Sequence, residues 1–213
     1  MLSHRELDDA FGLTELAVNH IADPRTGKNG RHRLAGLMRQ SIFSRLAGHE
    51  DVNDAGQLRL DRVMRQLIGG RAVKHSAASA SAMGQFETAM LTQSENLAAL
   101  VDLPGQWVDA MHDRCPPKSV THDMGNSESP VHGEQEGAAW NGHFQSKCLR
   151  PLFIFNQFGD LERSALRPGN VHSADGWEEV LKPAPAWFAM RAMPSFKWRG
   201  QRCRERCSLA SSI

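Results

Sequence analysis

Residues Ser119–Pro183 read SVTHDMGNSESPVHGEQEGAAWNGHFQSKCLRPLFIFNQFGDLERSALRPGNVHSADGWEEVLKP. A short start around Val120 and an apolar run at Pro151–Phe158 bracket a loop rich in Gly, Ser, Glu, His and Asn. Apolar runs bounded by Gly and Pro read as buried strands. Phe158-Gly159-Asp160-Leu161 reads as a two-residue turn, so Pro151–Phe158 and Leu161–Leu166 are expected to pair as an antiparallel hairpin. Asp123 would end the first short strand and face that hairpin if the three segments pair. Carboxylates at strand ends are places where a sheet can hold a metal ion.

Outward from this stretch, the chain changes character. Before it, helical periods dominate. Leu13–Ile21 carries apolar residues at Leu13, Leu16, Ala17 and Ile21, with Pro24 as a stop. A polar loop with Arg25, Lys28, Arg31 and Arg33 follows. Leu34–Leu46 places Leu34, Leu37, Met38, Ile42 and Leu46 on one face, leaves Arg33, Arg39 and Arg45 off it, and meets Gly48 as a C-cap. A third helix is expected from Asp54 to about Ile68. Gln85–Leu91 and Ser94–Leu100 follow, with Ser94 as N-cap. Pro104 is expected to interrupt, and Gln106–His112 to resume. Cys115-Pro116-Pro117 closes the helical half, and a short helix is expected near Ala174–Leu181.

Helices, then strands, then one short helix give an α+β chain without internal repeats. Its expected parts are a helical region at 1–115, a strand-bearing region at 116–183 and a divergent tail at 184–213. The tail fits neither period and is not assigned structure.

The 213 residues carry a formal charge of only +1, so no global basic field points to nucleic acid. The charge is uneven, however. Residues 184–213 hold six Arg and Lys against Glu205 alone, a net of +5, which leaves −4 for Met1–Pro183. Four scattered cysteines are too few for a disulfide scaffold. No apolar run reaches the roughly 20 residues of a membrane span, and the polar N-terminus is not a signal peptide. A cytoplasmic, reducing setting without membrane contact is therefore expected.

Four runs together carry a family resemblance: RTGKNGRHRLAGLMRQSIFSRLAGHEDVNDA, QFETAMLTQSENLAALVDLPGQWVD, SESPVHGEQEGAAWNGHF and PLFIFNQFGDLERSALRPGNVHSADGW. They resemble a DDE-type insertion-sequence transposase, in the group known as transposase DDE domain group 1 and the insertion-sequence thirteen-eighty family. The similarity spans roughly residues 10–183. It implies a helical, DNA-binding region followed by the first strands of a ribonuclease-H-like catalytic core. It also implies three acidic residues holding Mg2+ for cleavage and transfer of DNA strands, with transposon terminal repeats as partner and a homo-oligomer as a possible assembly. Two metal ions about 3.5–4 Å apart would clamp the attacking and leaving oxygens of the phosphodiester.

The chain departs from this pattern twice. Relatives by resemblance carry L-D-x-D-S-S or L-D-x-D-x-T on the first strand. Here the stretch is His122-Asp123-Met124-Gly125-Asn126-Ser127. Asp123 keeps the first acid of that motif and is the candidate catalytic carboxylate and metal ligand, while the second acid, the metal ligand that the resemblance implies, is Gly125 here. The R-x-D-x-x-F motif and the final Glu have no counterpart either; no Asp follows Asp175. The tail and the absence of tyrosine fit a truncated, frameshifted and catalytically inactive copy. Such a copy could persist as a DNA-binding remnant occupying transposon ends, or as a fragment that does not fold stably.

Lys28, Arg31, Arg33, Arg39 and Arg45 are the candidate DNA contacts, because phosphate contacts position a protein on DNA. The alternative is an ordinary charged helix face. Glu128, Glu134 and Glu136 read as solvated loop charges rather than substitute ligands. His132, His143, Cys148 and His172 match no compact zinc spacing, and Cys203-x-x-x-Cys207 lacks the second half of a metal site. Asn141-Gly142-His143 reads as a turn with Gly at positive φ.

Overall fold

The computed structural model describes every residue except Met1, 26–30, 132, 134, 173–174 and 182–213. It divides into two compact units, Met1–Leu103 and Pro104–Ile213.

The first unit is helical. Helices α1 (Leu2–Phe11), α2 (Leu13–His20) and α3 (Leu34–Leu46) are followed by a 3₁₀ turn at Val52–Asp54. Then come α4 (Ala55–Leu58), α5 (Arg62–Ile68), α6 (Arg71–Lys74), α7 (Ala80–Gln85) and a π-turn at Phe86–Met90. Helix α8 (Ser94–Arg114) begins in this unit. The apolar face of α3 seeds the core. Leu34, Leu37 and Met38 pack with Ala17, Ile21, Met83, Phe86 and Met90, while Phe43 joins Met64, Leu67 and Ile68.

Buried polar side chains tie the helices at points where apolar packing alone would leave backbone groups unpaired. Gln40 donates to Ala78 O at 2.9 Å and accepts from Ala78 N at 2.8 Å. Asn96, fully buried, accepts from Ala22 N at 2.8 Å and donates to Ala22 O at 3.0 Å and Met90 O at 2.9 Å.

Several expectations about these helices change. Leu2–Phe11, in a stretch read as acidic and polar, forms α1. Its Asp8 is buried, accepting from Thr14 N and Thr14 Oγ1 at 2.7 Å each. The single helix expected at Asp54–Ile68 is split, because Asp61 takes an extended backbone and caps α5 by accepting from Met64 N at 2.7 Å. The small-residue stretch His75–Gly84 contributes α7, capped by Ser79 on Ala82 N. Pro104 does not end a helix, since α8 runs through it. Gly48, at φ 85°, follows α3 in the left-handed region.

The second unit holds two antiparallel sheets. One has the order β1-β5-β6, from β1 (His122–Asn126), β5 (Leu152–Asn156) and β6 (Leu161–Ala165). The other has the order β2-β4-β3, from β2 (Ser129–Pro130), β3 (Ala139–Asn141) and β4 (Ser146–Leu149). The hairpin and its pairing with the first strand are present. Asp123 lies opposite Phe155, and Gly125 opposite Phe153.

The expected two-residue turn is instead a longer loop closed by Asn156. Its side chain accepts from Phe158 N at 2.9 Å and Asp160 N at 3.0 Å, and Gly159 takes φ 88°. A similar device governs the β3–β4 connection. Asn141 Oδ1 accepts from His143 N and Phe144 N, while the positive φ falls on Gln145 at 52° rather than on Gly142. An Asx turn thus replaces the glycine-led turn.

Met124, Leu152 and Ile154 form the buried face with Val180 of α9 (Trp177–Leu181). The later part of α8 reaches β6 at Gly105, where an added Cβ would sit 2.9 Å from Glu162 O. The α+β class and the order of helices before strands hold, and β1-β5-β6 fits the opening strands of a ribonuclease-H-like core. The expectations for 184–213, including Cys203 and Cys207, fall outside the described residues.

Candidate functional site

Strand β1 alternates burial along its length: His122 and Met124 point inward, while Asp123 and Gly125 are exposed. A side chain at position 125 would therefore share the solvent face with Asp123, as ligands of one ion must. A Cβ at Gly125 would meet nothing within 4 Å, so the space for a second carboxylate exists but the carboxylate does not. Phe153 and Phe155 cover the neighbouring strand on this face, with ring centroids 6.0 Å apart.

Glu162, the buried acid of β6, lies on the other side of the sheet, 3.8 Å from His122 Nε2 and 3.1 Å from Asn156 Nδ2. Glu128 is turned toward Ser146, whose hydroxyl donates to it at 2.5 Å. Glu136 is exposed, and Glu134 and His132 lie outside the described residues. Among the described residues no group of three His, Cys, Asp or Glu could hold a metal ion. Mg2+ prefers near-octahedral oxygen coordination with one or two carboxylates and substrate phosphate. Asp123 alone on an open strand does not supply that, so the described residues do not fit the ion.

Beneath the sheet the electrostatics differ. The Asp109 carboxyl of α8 is pushed above the usual carboxylate range, to about 6. The cause is first burial, then the nearby charges of Glu162 and Asp113. Burial beside another acid disfavours the charged form of this carboxyl and raises its affinity for a proton.

The candidate DNA contacts separate into two kinds. Arg39 donates to Asp8 at 2.8 Å and to Asp9 at 3.2 Å; against burial, the hydrogen bonds from Thr14 and then those from Arg39 hold the Asp8 carboxyl below its ordinary range. Arg45 grips both oxygens of Glu87 at 2.9 Å and also reaches Ser41. Both guanidinium groups are committed to holding helices together. Arg31 and Arg33 are exposed and, among the described residues, make no ion pair. Lys28 lies outside the described residues.

A cavity of about 770 Å³ opens beside Arg31 in the helical unit. Arg25, His32 and Arg59 also line it, and among the described residues no Asp or Glu does. Sequence reading overlooked Arg59 and this cavity. No period or motif marks them, because the lining comes from segments spread between Pro24 and Gln93.

With this geometry in place, the family is defined. The chain matches the family model described as transposase DDE domain group 1 over residues 1–196. It belongs to that family, and its function is tied to transposition. No curated protein and no solved structure matches the chain. Among the described residues no helix is long and apolar enough to cross a membrane.

Proposed function

We propose that this chain is an insertion-sequence transposase of the thirteen-eighty family whose helical unit binds the element's terminal repeats, and that the chain does not itself cut DNA. Transposition follows from the family; the loss of cutting rests on one observation. On the solvent face of β1, Asp123 stands beside Gly125 rather than beside a second carboxylate. An in-line displacement at phosphorus needs charge stabilisation on both the attacking and leaving oxygens, and a single solvated carboxylate does not position the ions that provide it.

Support for DNA binding is the exposed pair Arg31 and Arg33, extended by Lys28 in the same loop sequence. Contacts of this kind position a protein on the backbone without reading sequence. The chain would thus occupy transposon ends without processing them.

The test is binding of the full chain to a duplex carrying the element's terminal repeat, across a salt series, with Mg2+ present and nicks scored. The expected result is affinity that falls with salt, a preference for the repeat over scrambled duplex, and intact strands. Nicked product would sink the reading of Gly125. Equal affinity for scrambled duplex would remove the terminal repeat as the partner.

A further inference from the structure

The cavity of the helical unit has a chemistry that duplex phosphate contacts leave unused. Its volume of about 770 Å³ lies in the range of pockets that enclose a small organic ligand, roughly 300–1,000 Å³. It is too small for a duplex and ample for one nucleotide.

Its walls divide into two parts. Leu37, Phe86 and Met90 form an apolar side, and these three are among the buried core residues of the unit. Arg31 and Arg59 stand on the lining with no ion pair among the described residues, while Arg25 is already neutralised by Asp23 at 2.6 Å. Hydroxyls and amides, among them Ser79 and Gln93, supply hydrogen-bonding groups. His32 is shifted toward its neutral form, first by burial and then by the charges of Arg31, Arg71 and Arg25. A neutral imidazole both donates and accepts, as the edge of a base requires.

An acid-free pocket with two uncommitted guanidiniums excludes cationic and purely apolar ligands. Charge and shape together fit a phosphate joined to a flat, polar-edged ring. The cavity also borders Arg31, one of the exposed DNA-contact candidates. We propose that it receives a single unpaired nucleotide of a bound DNA strand, with the phosphate at Arg31 and Arg59 and the base against the Phe86–Met90 wall. This rests on the DNA-binding reading above and specifies one subsite of it.

Proteins that take a base out of the stack bind best where pairing is already lost. The test therefore compares a fully paired terminal-repeat duplex with the same duplex carrying one unpaired 2-aminopurine nucleotide. The full chain is used and no metal is needed. The bulged duplex should bind about tenfold more tightly, and the fluorescence of its 2-aminopurine should change on binding.

Ala89 is exposed and lines the cavity. Ala89→Trp should fill the cavity and erase the preference, leaving paired-duplex affinity and the melting temperature unchanged. Arg59→Ala should reduce the preference in part. Equal affinity for bulged and paired duplex, with both bound, would overturn the nucleotide pocket and leave DNA binding standing. Failure to bind either duplex would overturn both readings. A preference that survives Ala89→Trp in a folded variant would place the unpaired nucleotide elsewhere and overturn the assignment to this cavity.

Discussion

The helical unit and the strand-bearing unit hold their buried acids differently. In the first, the buried side chains of Asn96, Gln40 and Asp8 each find close partners. Asn96 makes three hydrogen bonds, Gln40 two, and Asp8 is met by Thr14 and Arg39. In the second, Asp109 on α8 is raised to about 6, first by burial and then by the nearby charges of Glu162 on β6 and Asp113. The functional groups follow the same division. The helical unit exposes Arg31 and Arg33, which make no ion pair among the described residues, whereas the solvent face of β1 exposes Asp123 beside Gly125. The comparison teaches that the two halves need not lose function together: the proposed binding surface and the proposed cutting face lie on separate units.

The contrast can be broken most forcefully through glycines. Gly169 sits where a Cβ would lie 2.4 Å from Cys148 O and 2.5 Å from Ala139 O, between strands of the smaller sheet. Backbone cannot yield there, so Gly169→Ala should cost about 3 kcal/mol or more in a denaturant melt. Gly36 of α3 offers the opposite case: its Cβ would meet only the Ile68 side chain, at 3.6 Å. Gly36→Ala should leave stability unchanged or raise it by up to about 1 kcal/mol. Equal losses at both sites would remove the distinction between close backbone approach in the strand unit and open side-chain packing in the helical one.

Asn96→Ala is next in size. It strips partners from Ala22 N, Ala22 O and Met90 O in a fully buried position. About 2–3 kcal/mol of stability should be lost by thermal or urea unfolding. A smaller loss would mean that water reaches this junction and that the helical unit is less tightly sealed.

The arginines sharpen the comparison between fold and function. Arg39→Ala should lower the melting temperature, because it leaves the Asp8 carboxylate buried with one partner fewer. Arg31→Ala should leave melting unchanged, weaken DNA binding, and reduce the slope of affinity against salt by about 1. If the two substitutions exchanged these effects, the division of the arginines would be wrong.

The smallest expected effect is a pH dependence. The folded value of Asp109, about 6, lies above its ordinary 3.8. The folded state therefore holds the proton more tightly, and its contribution is complete below about pH 4 and lost as pH rises through about 6. The melting temperature should decline across that interval. Asp109→Asn should flatten the decline and raise stability at pH 7. An unchanged profile in that variant would show that the acid is solvated in both states.

Much of the fold was legible before any coordinates. Leu34–Leu46 declares itself by its apolar stripe, and the apolar run before Phe158 by length and flanking glycine and proline. Both periods reflect local geometry repeated over several residues. Helix α1 was not legible, since its partners are distant: Asp8 is buried only because Arg39 and Thr14 meet it. Nor was the break at Asp61, where one side-chain cap outweighs a continuous apolar pattern.

For the candidate site, the sequence alone determined that Asp123 has glycine two positions on, and strand alternation puts both on one face. It also determined the supply of basic residues around Arg31. Only the tertiary structure decided which arginines are consumed by ion pairs, that Glu162 faces away from Asp123, and that Arg59 joins Arg31 at one cavity. The reason is physical. Alternation and helical period are properties of neighbouring residues, whereas charge neutralisation and enclosure arise from groups tens of residues apart, brought together only when the core forms.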